Sequence, residues 1–150
     1  MSAKDELYQE MIIDHNRHPR NFRRMDDATH QAEGFNPVCG DHYTVFLKIG
    51  ADGVIQDAAF DGKGCAISKS SASLMTQALK GRTEQEARAL FDRFHKLAVG
   101  DVPPGSPDPA LGKLAVFSGI SKYPARVKCA VLSWHAMHSA LDRVTVVSTE

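Results

Sequence analysis

The sequence predicts an α+β fold, a small antiparallel meander with helices packed on one face of its sheet. A period-two pattern runs from Tyr43 to Ile49, with His42, Thr44, Phe46 and Lys48 on the opposite face, and is followed after a turn by a second extended run, Val54 to Phe60. From about Cys65 onward the apolar residues recur at helical spacing instead. Strands first and helices after, without βαβ alternation, is the pattern of segregated sheet and helices. No repeat, low-complexity stretch or composition break divides residues 1–150, so one domain is expected.

The elements follow in order. Ser2 and Asp5 resemble a capping box that opens a first helix, whose apolar stripe is Leu7, Tyr8, Met11 and Ile12. Proline disfavours helical geometry in the residue before it, so the helix ends at His18-Pro19. The alternation is faint over Thr29 to Phe35, where an earlier strand is placed. Tyr43, Val45, Leu47 and Ile49 share one face of the next strand, and Ala51-Asp52-Gly53 turns the chain into its partner. Ala72, Leu74, Met75, Ala78 and Leu79 mark a helix over 68–80, stopped by Gly81. Thr83 and Glu86 form a second capping box for a helix reaching about Ala98. Prolines and glycines make 100–109 a loop, and a short helical piece covers Leu111 to Phe117. Pro124 suits the first position of a final helix bearing Val127, Val131, Leu132, Trp134 and Leu141.

Composition excludes several functions. Eighteen basic and eighteen acidic side chains give zero formal charge, which argues against a nucleic-acid surface built on bulk charge. No apolar run approaches the roughly 20 residues of a membrane helix, and the opening MSAKDELYQE is too polar for a signal peptide. A cytoplasmic protein is expected. The basic group Arg17, Arg20, Arg23 and Arg24 after the first helix is either a solvated helix end or a docking patch for an acidic partner.

The three cysteines, Cys39, Cys65 and Cys129, are an odd number and a poor disulfide framework. Cys39 stands in Asn36-Pro37-Val38-Cys39-Gly40-Asp41, where a turn lets Cys39 and Asp41 point the same way. Cys65 follows Gly62-Lys63-Gly64 and precedes a helix, whose positive end favours a thiolate. Cys129 lies within the final helix, one turn after Arg126. Either each thiol is an independent small hydrophobe, or the three converge with Asp41 into a site of three sulfurs and one oxygen. Such a set suits zinc or an iron–sulfur centre. Three thiolates and a carboxylate around a divalent ion leave excess negative charge. Lys63, Arg126 and Lys128 are placed to offset it, and Arg126 to hold Asp41 by a forked hydrogen bond.

The motifs NPVCGD at 36–41, GKGCAIS at 62–68 and KYPARVKCAVLSW at 122–134, with LYQEMIIDHNRHPRNF at 7–22, resemble the U-type iron–sulfur assembly proteins and most closely their SufU branch. The resemblance spans essentially the whole chain. It implies a three-stranded antiparallel sheet packed by helices, with Cys39, Asp41, Cys65 and Cys129 as metal ligands. It further implies a zinc-dependent sulfurtransferase-type role, in which Cys39 accepts sulfur from a SufS-type cysteine desulfurase. Separately from the resemblance, the excess negative charge of the ligands adds Arg126 as a supporting residue of the site. Downstream assembly factors or apo iron–sulfur proteins would receive the product. Two departures separate the chain from the IscU branch: Lys128 replaces the histidine before the third cysteine, and the Leu-Pro-Pro-Val-Lys chaperone motif is missing, Val102-Pro103-Pro104-Gly105 being only an echo.

The alternative within the family is a scaffold on which an iron–sulfur cluster is built on the same ligands. A Cys–His hydrolase using His42, or a metal pair at His135 and His138, lacks any nucleophile-elbow context. These histidines read as exposed side chains. A closed structural zinc site would ordinarily use four Cys or His ligands, and Asp41 as fourth points to exchange.

Overall fold

The computed structural model describes residues 3–101, 108–144 and 146–148. Helix α1 (Ala3–Arg17) leads to strands β1 (His30–Asn36), β2 (Asp41–Ile49) and β3 (Ile55–Lys63). Helices α2 (Ala66–Leu79) and α3 (Glu84–Val99) follow, then 3₁₀ turns over Pro109–Phe117, broken by a kink at Gly112, and Ile120–Lys122, helix α4 (Pro124–Leu141) and strand β4 (Val146–Ser148). Ser2 and the Val102–Gly105 echo lie outside the described residues.

The sheet corrects the expected three antiparallel strands. It has four, in the order β3-β2-β1-β4, and β4 pairs parallel to β1 through Gly34↔Val147. A parallel neighbour needs a long crossover, which α4 provides by crossing the sheet before the chain returns. At the opposite edge the segment after α1 covers β3: Arg23 N–H donates to the Phe60 carbonyl (2.9 Å) and Phe60 N–H to that of Asn21 (3.0 Å). Both sheet edges are thereby blunted.

Period-two burial on β2 puts Asp41, Tyr43, Val45 and Leu47 under the helices. Phe46 faces the other way and is covered by Met25 and Ala59, so a loop shields that face. Gly34 on β1 is in the extended face toward α4, where a Cβ would meet Leu132 at 3.1 Å and Ala136 at 3.3 Å. The bare backbone lets α4 sit close to the sheet. Trp134 is fully buried, stacked on Phe94 at 4.6 Å between ring centroids. Its indole N–H donates to Ser71 Oγ (3.2 Å), which in turn donates to the Ala130 carbonyl (2.6 Å).

Helix limits agree with their caps. Thr83 and Glu86 make the reciprocal capping box of α3, and Gly100 closes that helix with φ of 82°. On α1, Tyr8, Met11 and Ile12 pack inward, but Leu7 of the expected stripe is exposed. The helix is anchored instead by buried His15, whose Nδ1 lies 2.7 Å from Ser73 Oγ, the same oxygen that accepts the Arg20 N–H (2.8 Å).

Gly62, opposite Tyr43 in the β2–β3 ladder, has φ of +137°. A Cβ there would collide with the His42 carbonyl oxygen and lie 2.8 Å from Tyr43 Cα. Left-handed strain and a backbone clash combine, so Gly62→Ala is expected to cost about 2–4 kcal/mol. Thermal unfolding checks this, and a melting temperature equal to wild type would contradict the geometry.

Candidate metal centre

Three of the four expected donors meet at one end of the sheet. One sulfur or oxygen from each of Cys39, Asp41 and Cys129 lies within 4.8 Å of the others, and the Cys39 and Cys129 sulfurs are 3.5 Å apart. Cys39 is exposed on the turn between β1 and β2, closed by the Gly40 N–H donating to the Asn36 carbonyl (2.8 Å). Gly40 takes φ of +75°, a conformation this tight turn needs and glycine adopts without strain. Asp41 is the first residue of β2 and Cys129 sits in the second turn of α4; both are buried.

Cys65 stands apart from that trio, since its sulfur is not within 4.8 Å of all three, although it does interact with Cys129. It caps α2, accepting the Ser68 N–H on its sulfur at 3.5 Å. Its own N–H donates to Asp41 Oδ1 at 2.9 Å, which ties the α2 cap to the β2 terminus. Gly64 makes this closeness possible, because a Cβ would sit 2.5 Å from Tyr43 Oη and 2.7 Å from Asp41 Oδ1.

The chemistry of this donor set can be tested for a cation. Asp41 is 1% exposed, and its second oxygen, Oδ2, has no hydrogen-bond partner among the described residues. A buried carboxylate oxygen left without a partner costs free energy that a positive charge would recover. Burial, with Asp41, Cys39 and Cys65 close by, pushes the Cys129 thiol far above the ordinary thiol range. The residues therefore fit a divalent ion that takes sulfur and oxygen together.

The expected supporting base is not in place. Arg126 is exposed in the first turn of α4 and makes no hydrogen bond or ion pair with Asp41. One oxygen of that carboxylate, Oδ1, accepts the Cys65 N–H. Lys63 is exposed and Lys128 half-buried, and neither forms an ion pair among the described residues. The basic group after α1 is mostly consumed within the chain. Arg20 pairs with Asp14 (2.6 Å), Arg23 with Asp57, and Arg24 lies over the Phe46 ring.

Two supporting residues were not foreseen. Asn36 is buried and its Nδ2 approaches Cys129 Sγ at 3.7 Å. Ser68 Oγ lies 3.2 Å from the buried Tyr43 hydroxyl and 3.0 Å from the Cys65 carbonyl, bracing the α2 cap. Both sit inside the motifs around the cysteines, and that proximity was the available signal. His42, by contrast, is exposed, pairs with Glu33 at 3.2 Å and stacks on Phe35.

A model of the NifU-like N-terminal domain matches residues 7–130. The chain is 39% identical over 139 residues to the zinc-dependent sulfurtransferase SufU of Bacillus subtilis, covering 93% of this chain and 92% of that protein. It is 35% identical over 143 residues to the iron–sulfur cluster assembly scaffold protein IscU of Streptococcus pyogenes, covering 95% and 87%. The crystal structure of the N-terminal part of a nitrogen-fixing NifU-like protein from Brucella abortus superposes with a TM-score of 0.82 at 25% identity, over 95% of this chain and 97% of that one.

Proposed function

The chain belongs to the NifU-like N-terminal domain family, and from that premise we propose that it serves iron–sulfur cluster assembly as a zinc-dependent sulfur acceptor. Cys39, Asp41, Cys65 and Cys129 are the proposed ligands, with Cys65 completing the set by a small movement of the α2 cap. The observation that carries this reading is the buried, partnerless Oδ2 of Asp41 beside two sulfurs 3.5 Å apart. The likeness to a zinc-dependent sulfurtransferase over 93% of the chain supports zinc. When bound, zinc keeps coordinating thiols deprotonated and offsets part of the charge of the anionic donor set.

The chain's own residues divide the work. Asp41 and Cys129 are fixed by β2 and α4, and Cys65 is carried on the α2 cap. Cys39 is exposed on a turn and can leave the donor set without disturbing those elements. Freed as a thiolate, it attacks the outer sulfur of a persulfide on a cysteine desulfurase, the SufS type being the proposed partner. A new S–S bond forms on Cys39, the partner's S–S bond breaks, and the partner's cysteine leaves as thiolate. The proton on the transferred sulfur travels with it, and no net oxidation occurs. The sulfur then passes to downstream assembly factors or apo iron–sulfur proteins.

The test is persulfide transfer from a cysteine desulfurase, read by mass spectrometry with and without zinc and with each cysteine changed to serine. Cys39→Ser is expected to fold, to bind zinc more weakly and to carry no persulfide. Normal sulfur uptake by that variant would refute the assignment.

The scaffold reading is favoured by one observation, the likeness to an IscU scaffold across 95% of the chain. Lys128 stands against it, occupying the place before Cys129 where the IscU branch carries histidine. Metal analysis of anaerobically purified protein separates the two. A colourless protein loaded with zinc supports sulfur transfer; a brown protein that passes a cluster to an apo-acceptor supports scaffolding.

A further inference from the structure

A second group of metal-competent side chains lies on the seam between α3 and α4, away from the sulfur site. Arg88, Phe91 and His95 follow one another down α3, and His135, His138 and Asp142 face them from α4 and its end. His138 is already satisfied. Its Nε2 lies 3.3 Å from Arg88 Nη1 and its Nδ1 lies 3.4 Å from Asp142 Oδ2, so both ring nitrogens are engaged.

His95 and His135 are different. Both are half-buried, their ring centroids are 5.9 Å apart, and neither has a hydrogen-bond or ion-pair partner among the described residues. Phe91 packs against each, at 6.0 Å from His95 and 5.1 Å from His135, holding the two rings on a rigid helix pair.

Geometry sets whether two such rings can share an ion. With metal–nitrogen distances of about 2.1 Å, and ring nitrogens about 1.1 Å from their centroid, each centroid lies about 3.2 Å from the ion. Two rings on one ion therefore have centroids no more than about 6.4 Å apart, and roughly 5.2 Å apart at a tetrahedral angle. The observed spacing falls inside the first limit and needs less than about an ångström of closure to meet the second.

The geometry points to an accessory site for a borderline divalent transition-metal ion, held by His95 and His135 with its remaining positions open to water. Imidazole suits zinc, copper and nickel rather than magnesium or calcium. Burial, with His95 and His138 nearby, lowers the His135 pKa and so keeps the ring in the neutral form that binds metal. Two ligands and open positions make a weak, exchangeable site, distinct in donor chemistry from the sulfur–oxygen centre.

The test is calorimetric titration of zinc into protein whose sulfur site is already loaded, with the imidazole proton resonances followed in parallel. A second, weaker equivalent is expected, shifting the resonances of His95 and His135. His95→Gln and His135→Gln should each lose it, while His138→Gln retains it and all three keep the first equivalent. Absence of a second equivalent in the wild type overturns the inference. So does its persistence in the double variant His95→Gln/His135→Gln, or its loss in His138→Gln.

Discussion

Asp41→Asn is expected to weaken zinc binding by about tenfold to a hundredfold or more, while the metal-free protein melts no lower than wild type. The argument rests on two oxygens with different duties. Oδ1 accepts the Cys65 N–H, a contact the asparagine carbonyl can keep. Oδ2 is buried and without a partner, so it is an expense to the metal-free fold and an asset only beside a cation. Changes one shell further out already cost about 10–100-fold in metal affinity, so loss of a ligand should cost at least that. Competition with a chromogenic chelator gives the affinity, and thermal melts with and without zinc give the stabilities. Unchanged affinity would remove Asp41 from the ligand set. A lower melting temperature in the metal-free variant would mean that the carboxylate is structural.

Trp134→Ala is expected to cost about 3–5 kcal/mol, the usual range for deleting a large buried aromatic. No other fully buried side chain is larger, and the indole joins α4 to α3 by stacking on Phe94 and to α2 by its bond to Ser71. Phe94 also packs edge-on against Phe117, so losing the indole loosens a ring that the next element leans on. At about 2–4 °C per kcal/mol for a chain of this size, the melting temperature should fall by roughly 6–20 °C. The variant should also lose zinc more readily, because α4 carries Cys129 five residues earlier. A fall of only a few degrees would show that the core closes around the missing ring.

Much of this architecture was legible because local patterning and tertiary environment agree. Thr83 with Glu86 announces α3, and Pro124 opens α4 where its missing N–H costs nothing. The alternation on β2 reports directly which side chains lie beneath the helices. Strand β4 was not legible. Three residues are too few for a period, and its parallel pairing exists only after α4 has crossed the sheet. The faint signal of β1 has a similar source, since Gly34 is chosen for the approach of Leu132 and Ala136 and not for strand propensity.

At the candidate site, the proposed donors stand out by their glycine-rich and proline-rich surroundings, but the residues that brace them do not. The forked contact expected from Arg126 is not made: Arg126 is exposed, and a backbone N–H, that of Cys65, donates to Asp41 Oδ1. Backbone donors leave no trace in residue identity, and which loop delivers one depends on the path of 62–65. The histidines of α4 were placed on the surface by their position near the helix end, yet Phe91 on α3 packs against both.

The distance along the chain between Cys39 and Cys129 has a consequence for how the protein matures. The two sulfurs are neighbours in space but 90 residues apart in sequence. A bond closing a loop of that length removes about 4–5 kcal/mol of unfolded-state freedom in the disulfide analogy. Metal occupancy would thus act as a checkpoint: a chain whose α4 has not docked offers an incomplete donor set and retains no ion. With the proposed ligands, Asp41 and Cys129 would preserve the cross-link when Cys39 swings away. The protein would then expose that thiol repeatedly without reopening the fold that the ion seals.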